Sequence, residues 1–182
     1  IRIEDDKKLQ IEEIESIFGA GIEGDLSSNR TVIDRMTASK KMAYFLDIEI
    51  DSAEELLEGC SFVYSKTNRV KNILAKDGVH ILSPRLTDGG LSLTLEGARR
   101  LQGSGIPTVI VNDDSIPFTR KGRNVMHGFI LDVKGQLTPG LPCLIEDQNG
   151  EFLGHGVSQC TAEETQRFRK GIAVKVRDGA GE

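Results

Sequence analysis

From Cys60 onward, short β-prone stretches are cut apart by turn dipeptides, and this spacing limits the chain to small antiparallel sheets rather than a helical bundle or a parallel α/β fold. Phe62-Val63-Tyr64, residues 70–75, residues 79–82 and Leu91-Ser92-Leu93 are separated by Thr67-Asn68, Asp77-Gly78 and Asp88-Gly89-Gly90. That order predicts an antiparallel meander. Thr94 is placed to cap a helix over residues 95–101. The most linker-like stretch, Gln102-Gly103-Ser104-Gly105, then predicts a boundary between residues 1–104 and residues 105–182.

The second part alternates again. Val109-Ile110-Val111, residues 129–133, Cys143-Leu144-Ile145 and residues 172–176 read as strands, with a hairpin turn at Asn149-Gly150. Pro117 fits the first turn of a short helix that Gly122 stops, and Thr161 with Glu164 forms a capping box ahead of another. Many short strands and two small helices in so few residues predict a closed or nearly closed barrel. The expected class is α+β, a mixed N-terminal domain followed by a small β-barrel-like one. Near the N-terminus, Ile11, Ile14, Ile17 and Phe18 share one helical face, ending at Gly19. Tyr44, Leu46, Ile48 and Ile50 alternate as in a half-buried strand, and Ser52 with Glu55 reads as the capping box of a helix running to Leu57.

The formal charge of −5 argues against a polyanionic partner only if it is spread evenly. It is not. Residues 1–25 hold eight acids against three bases and so account for all of it. In the neutral remainder, Arg167, Arg169, Lys170, Lys175 and Arg177 form a stretch without acids, and Arg120, Lys121 and Arg123 form a second cluster. Solvated faces and helix C-termini also attract bases, so charge alone leaves two readings open.

Catalytic material is sparse. His80, His127 and His155 lie in different β segments, outside any HxH or HExxH pattern, and Gly19-Ala20-Gly21 is not followed by the Lys-Ser or Lys-Thr of a phosphate loop. Asp113 and Asp114, if in a strand, point to opposite faces. The cysteines, Cys60, Cys143 and Cys160, are odd in number and lack a CxxC pair, as expected of small core residues. Cys143, His155 and Cys160 would make a zinc site, and so a small-molecule enzyme, only if neighbouring strands bring them together. No metal or cofactor is expected. With no apolar run of about 18 residues and an acidic beginning, Ile1 to Asp6, neither a membrane span nor a secretory leader is expected, and the location is expected to be cytoplasmic.

An ordered series of motifs runs through the second part: Ile116-Pro117-Phe118, Lys121-Gly122-Arg123-Asn124-Val125, Leu137-Thr138-Pro139-Gly140, Thr161-Ala162-Glu163-Glu164 and Arg169-Lys170-Gly171-Ile172-Ala173-Val174-Lys175-Val176-Arg177. Together they resemble the PUA domain, in the version at the C-terminus of archaeal tRNA-guanine transglycosylases and archaeosine synthases. Residues 83–101, from Ser83-Pro84-Arg85 to Arg100-Leu101, are similar to the segment preceding PUA in those enzymes. The resemblance runs from about Phe62 to the end. It departs from the family at Met126-His127-Gly128, where an aromatic or alanine followed by alanine-lysine is usual.

The resemblance implies an RNA-facing surface that holds the acceptor end of tRNA. It would comprise Lys121, Gly122, Arg123 and Asn124 in the loop, His127, and Lys175 and Arg177 on the last strand; Arg169 and Lys170, from the same basic stretch, are counted as RNA-binding with them. Glycine permits close backbone approach, and Arg and Lys supply charge-assisted bonds to phosphate. Neither the barrel of the transglycosylases nor the Pro-Cys and Lys-Pro-Tyr cluster of the synthases is in the sequence. The expectation is therefore a non-catalytic tRNA-binding protein, an accessory or split subunit that delivers tRNA to a separate catalytic tRNA-guanine transglycosylase subunit. The alternative is a stand-alone RNA-binding factor in translation or ribosome assembly.

Overall fold

The first described element is a long helix, α1 (Leu26–Leu46). The computed structural model describes residues 26–85 and 87–181, with side chains from Asp34 onward; the helix expected around Ile11 to Phe18 lies outside the described residues. Ala38, Met42 and Leu46, spaced four apart, point one stripe of α1 into the core, whereas Tyr44 is 75% exposed. The period-two pattern over residues 44–50 therefore does not make a strand. Helical spacing wins, α1 turns at Asp47 with φ 53°, and α2 (Ile50–Leu57) follows. Because α2 starts two residues before Ser52, Ser52 lies inside it and caps nothing; Glu49 is the N-cap, without a side-chain bond.

Four strands then form the expected meander in the order β1 (Ser61–Tyr64), β2 (Val70–Leu74), β3 (His80–Pro84), β4 (Leu91–Leu93). All neighbours are antiparallel. Helix α3 (Leu95–Arg100) is capped by Thr94, whose hydroxyl accepts the Gly97 N–H at 3.0 Å and donates to the His80 carbonyl at 2.8 Å. The cap thus also fixes α3 to β3.

The second sheet has six strands in the order β6-β10-β9-β8-β5-β7. They are β5 (Thr108–Val111), β6 (Val125–Met126), β7 (Ile130–Lys134), β8 (Pro142–Glu146), β9 (Phe152–Ser158) and β10 (Ile172–Gly179). Among the described strands, only β5 and β8 pair in parallel. The two edge strands, β6 and β7, are joined by a single 3-10 turn, His127–Phe129. Edges linked by three residues must lie close together, so the sheet curls into a nearly closed barrel. Helix α4 (Ile116–Arg120) has Pro117 in its first turn, and α5 (Ala162–Arg167) carries both halves of the Thr161/Glu164 capping box. Replacing Thr161 with alanine should cost about 1 kcal/mol of stability in urea unfolding. An unchanged midpoint would mean that α5 is held by packing alone.

From Asp34 on, the chain packs as one unit. Leu144 of β8 and Phe152 of β9 sit in the core of the first sheet, among Met42, Ile73 and Leu82. The other faces of β8 and β9 send Cys143, Ile145 and Leu153 into the barrel core with Val109, Val125 and Val174. Buried Glu146 is satisfied from both sides, accepting from Gln102 at 3.0 Å and pairing with Lys134 at 2.9 Å. Among the described residues, no helix is long and apolar enough to cross a membrane.

Candidate nucleic-acid interface

The β6–β10 edge gathers the residues singled out in the sequence. After α4, Gly122 adopts φ 75°, a left-handed conformation that glycine takes without penalty, and its N–H donates to the Thr119 carbonyl at 2.9 Å. The chain then doubles back: Arg123 N–H reaches the Phe118 carbonyl at 3.0 Å, and the Asn124 side-chain oxygen accepts the Val176 N–H at 3.2 Å. Val125 and Met126 pair with Val174 and Ile172 of β10. Lys175 and Arg177 flank Val176, so this fold of the chain sets Arg123 and Asn124 beside them. Lys121, Arg123, Asn124, Lys175 and Arg177 are all exposed.

A second group stands further along the same edge. After α5, residues 168–171 cross the 3-10 turn that begins at His127, whose N–H donates to the Gly171 carbonyl at 3.1 Å. Phe168 meets the His127 ring edge to face at 5.5 Å. Arg169 and Lys170 are exposed in this crossing, whereas His127 is buried and its Nδ1 has no hydrogen-bond partner. His127 thus lies beneath the surface rather than on it, under Phe168.

Charge at this edge is uncommitted. None of Lys121, Arg123, Arg167, Arg169, Lys170, Lys175 and Arg177 takes part in an ion pair among the described residues, whereas Arg120 of the same sequence cluster is tied to Glu151 at 2.5 Å. Large apolar side chains are exposed between the cations: Phe168 at 50%, Ile172 at 38% and Met126 at 37%. None of these three is marked by the sequence as a site residue. Ile172 continues the inward alternation of Val174 and Val176, but the register of β10 against β6 shifts between Ile172 and Val174 and leaves Ile172 at the surface. Free guanidinium and ammonium groups interleaved with an aromatic ring and apolar side chains can bind phosphates and stack unpaired bases.

Cys143, His155 and Cys160 do not form a site. Cys143 and Cys160 face the barrel core. His155 is paired in register with Leu144, whose side chain joins the other core, so it projects from the opposite face of the sheet and bonds to Asp178 at 3.1 Å. Burial, aided by nearby Cys160, pushes the Cys143 thiol up to about 12. Such a group is a packing element rather than a thiolate nucleophile or ligand. Among the described residues, no three His, Cys, Asp or Glu side chains gather as metal ligands.

Comparison with known proteins agrees with this architecture. Residues 107–180, strands β5 to β10, match the PUA domain, and residues 49–108, α2 through α3, match the patch-forming domain C2 of tRNA-guanine transglycosylase. The chain is 39% identical over 118 residues to the tRNA-guanine(15) transglycosylase of Thermococcus onnurineus, a match covering 63% of this chain and 20% of that protein. It is 31% identical over 159 residues to the enzyme of the same name from Methanocaldococcus jannaschii, covering 84% of this chain and 24% of that one. It therefore spans about a fifth to a quarter of the length of these curated relatives. In fold, it is similar to a hypothetical protein from Pyrococcus horikoshii, with TM-score 0.63 and 16% identity over 82% of this chain and 91% of the other. It is also similar to a PUA domain from Aeropyrum pernix, with TM-score 0.54 and 17% identity over 70% and 81%. The chain is a PUA-domain protein that resembles the C-terminal region, pre-PUA plus PUA, of the archaeal tRNA-guanine transglycosylases.

Proposed function

We propose that this protein binds RNA, and specifically the acceptor end of tRNA, along the β6–β10 edge, as the non-catalytic part of a tRNA-modifying system. The observation that carries this reading is the row of unpaired cations at Lys121, Arg123, Arg169, Lys170, Lys175 and Arg177, interleaved with exposed Phe168, Met126 and Ile172. Phosphates would be held by Lys121, Arg123, Arg169, Lys170 and Lys175 and by the backbone at Gly122, with Arg177 left to a base and Asn124 holding the loop against β10. His127 acts from below, by supporting Phe168. An unpaired 3′ end suits such a surface, because its bases are free to stack and no groove has to be entered.

Chemistry in this reading belongs to a separate tRNA-guanine transglycosylase subunit in the cytoplasm, to which this protein presents its tRNA. The buried thiols, whose pKa values burial raises, favour a holding role over a nucleophilic one. The same proposal treats residues 1–104 and residues 105–182 as two modules, the second one holding RNA.

A salt titration compares intact tRNA with tRNA lacking its single-stranded 3′ end. Affinity should fall steeply with salt and drop about tenfold when the 3′ end is removed, as expected for stacking of one or two bases. Equal binding of the two RNAs would remove the acceptor-end assignment. Pull-down from native extract should recover a transglycosylase; recovery of ribosomal particles instead would favour a stand-alone factor.

A further inference from the structure

Between β4 of the first sheet and the strands β8, β9 and β10 lies a cleft of about 340 Å³, on the size scale of small-molecule pockets. Leu91, Leu93 and Pro142 supply apolar wall, and His155, Arg177 and Asp178 supply polar groups. In a regular strand, the side chains of Arg177 and Asp178 would point to opposite faces. Here the register of β10 against β9 shifts between Val176 and Asp178, and both residues line the cleft.

The polar groups are ordered by what each is committed to. His155, with its side chain only 4% exposed, holds Asp178 through Nε2 at 3.1 Å, donating because an ionised carboxylate can only accept. Burial lowers the pKa of His155 and favours the neutral ring, against the pull of the carboxylate. Asp178 is therefore braced from behind while its side chain stays 55% exposed. Arg85, on the opposite wall, is committed to Asp88 at 2.9 Å, whereas Arg177 forms no ion pair among the described residues. The cleft thus offers a braced acceptor and a free donor fork, side by side, between apolar walls.

We propose that this cleft takes one unpaired guanine nucleotide of the bound RNA, an assignment that rests on the RNA-binding reading above. The edge of guanine presents two donors, N1–H and the N2 amino group, followed by two acceptors, O6 and N7. A carboxylate beside a guanidinium matches that order, Asp178 accepting the first pair and Arg177 donating to the second. Cytosine offers one donor and then acceptors, and so fits with fewer bonds. Adenine likewise offers one donor group, its N6 amino, beside the acceptor N1, and uracil flanks its single N3–H donor with two acceptor carbonyls.

The test is calorimetric titration of the protein, without RNA, with the four nucleoside 5′-monophosphates and with inorganic phosphate. Guanosine monophosphate should bind about tenfold more tightly than the uridine compound or phosphate, with the cytidine and adenosine compounds between. Asp178→Asn keeps the shape of the side chain and should remove most of that preference. In a parallel tRNA titration, it should leave the salt slope unchanged, since Asp178 contacts no phosphate. Equal binding of all four nucleotides and phosphate, no binding of guanosine monophosphate at millimolar concentration, or an unchanged preference in Asp178→Asn each overturns the assignment. If tRNA binds with salt dependence but the nucleotide does not, the cleft proposal falls and the RNA-binding reading stands. Nucleotide binding with the stated preference but no tRNA binding keeps the pocket and overturns the RNA reading.

Discussion

Replacing Gly97 with alanine should destabilise the protein by about 3 kcal/mol and lower its melting temperature by on the order of 10 °C, although the residue sits in a helix. Helix propensity predicts the opposite sign, since alanine exceeds glycine by about 1 kcal/mol inside a helix. Packing overrides it here. A Cβ at Gly97 would overlap the carbonyl oxygen of Ile81 and lie 2.9 Å from its carbonyl carbon. These are backbone atoms and cannot rotate away. The same carbonyl accepts the Thr94 N–H at 3.1 Å, so moving β3 or α3 apart also loosens the helix cap. Circular dichroism melts of Gly97→Ala and Gly78→Ala separate the two kinds of glycine. Gly78, at φ 81° with open space around its missing Cβ, should lose only about 1–2 kcal/mol from the left-handed backbone. A rise in melting temperature for Gly97→Ala would show that α3 does not pack flush against β3.

The double variant Arg123→Ala, Lys175→Ala should weaken tRNA binding about a hundredfold at low salt, roughly tenfold for each lost charge-assisted contact. The slope of log affinity against log salt should flatten by about two, because two fewer counterions are released. Both side chains are exposed and form no ion pair among the described residues, so their removal leaves no buried partner there and the fold should be unaffected. That separates them from Arg120, the neighbour in sequence, whose guanidinium is committed to Glu151 and to the Gly181 carbonyl. Arg120→Ala should change stability more than RNA affinity. A double variant that binds with wild-type affinity and slope would move the RNA surface away from the β6–β10 edge.

The turn chemistry at Asp77-Gly78 and Asn149-Gly150, the Thr94 cap and the Thr161/Glu164 box are local interactions, and the sequence by itself determined them. Each depends on residues a few positions apart, so the meander, the barrel strands β5, β7, β8 and β10 and both capped helices were legible without any tertiary information, whereas the two-residue strand β6 was not and β9 was implied only as one arm of the Asn149-Gly150 hairpin. Residues 44–50 were not, because period-two and helical spacings overlap over so short a stretch, and only the packing of Ala38, Met42 and Leu46 against the sheet decides between them. The cations at residues 121–124 and 169–177 were likewise legible as types. Tertiary structure alone decided which of them are free, that Arg120 is spent on Glu151, and that His127 lies beneath Phe168. It also decided that Cys143 and His155 face opposite sides of one sheet, and that a bulge turns Arg177 and Asp178 into one cleft. These are relations between strands far apart in the chain, set by register and burial, and no local pattern of residues encodes them.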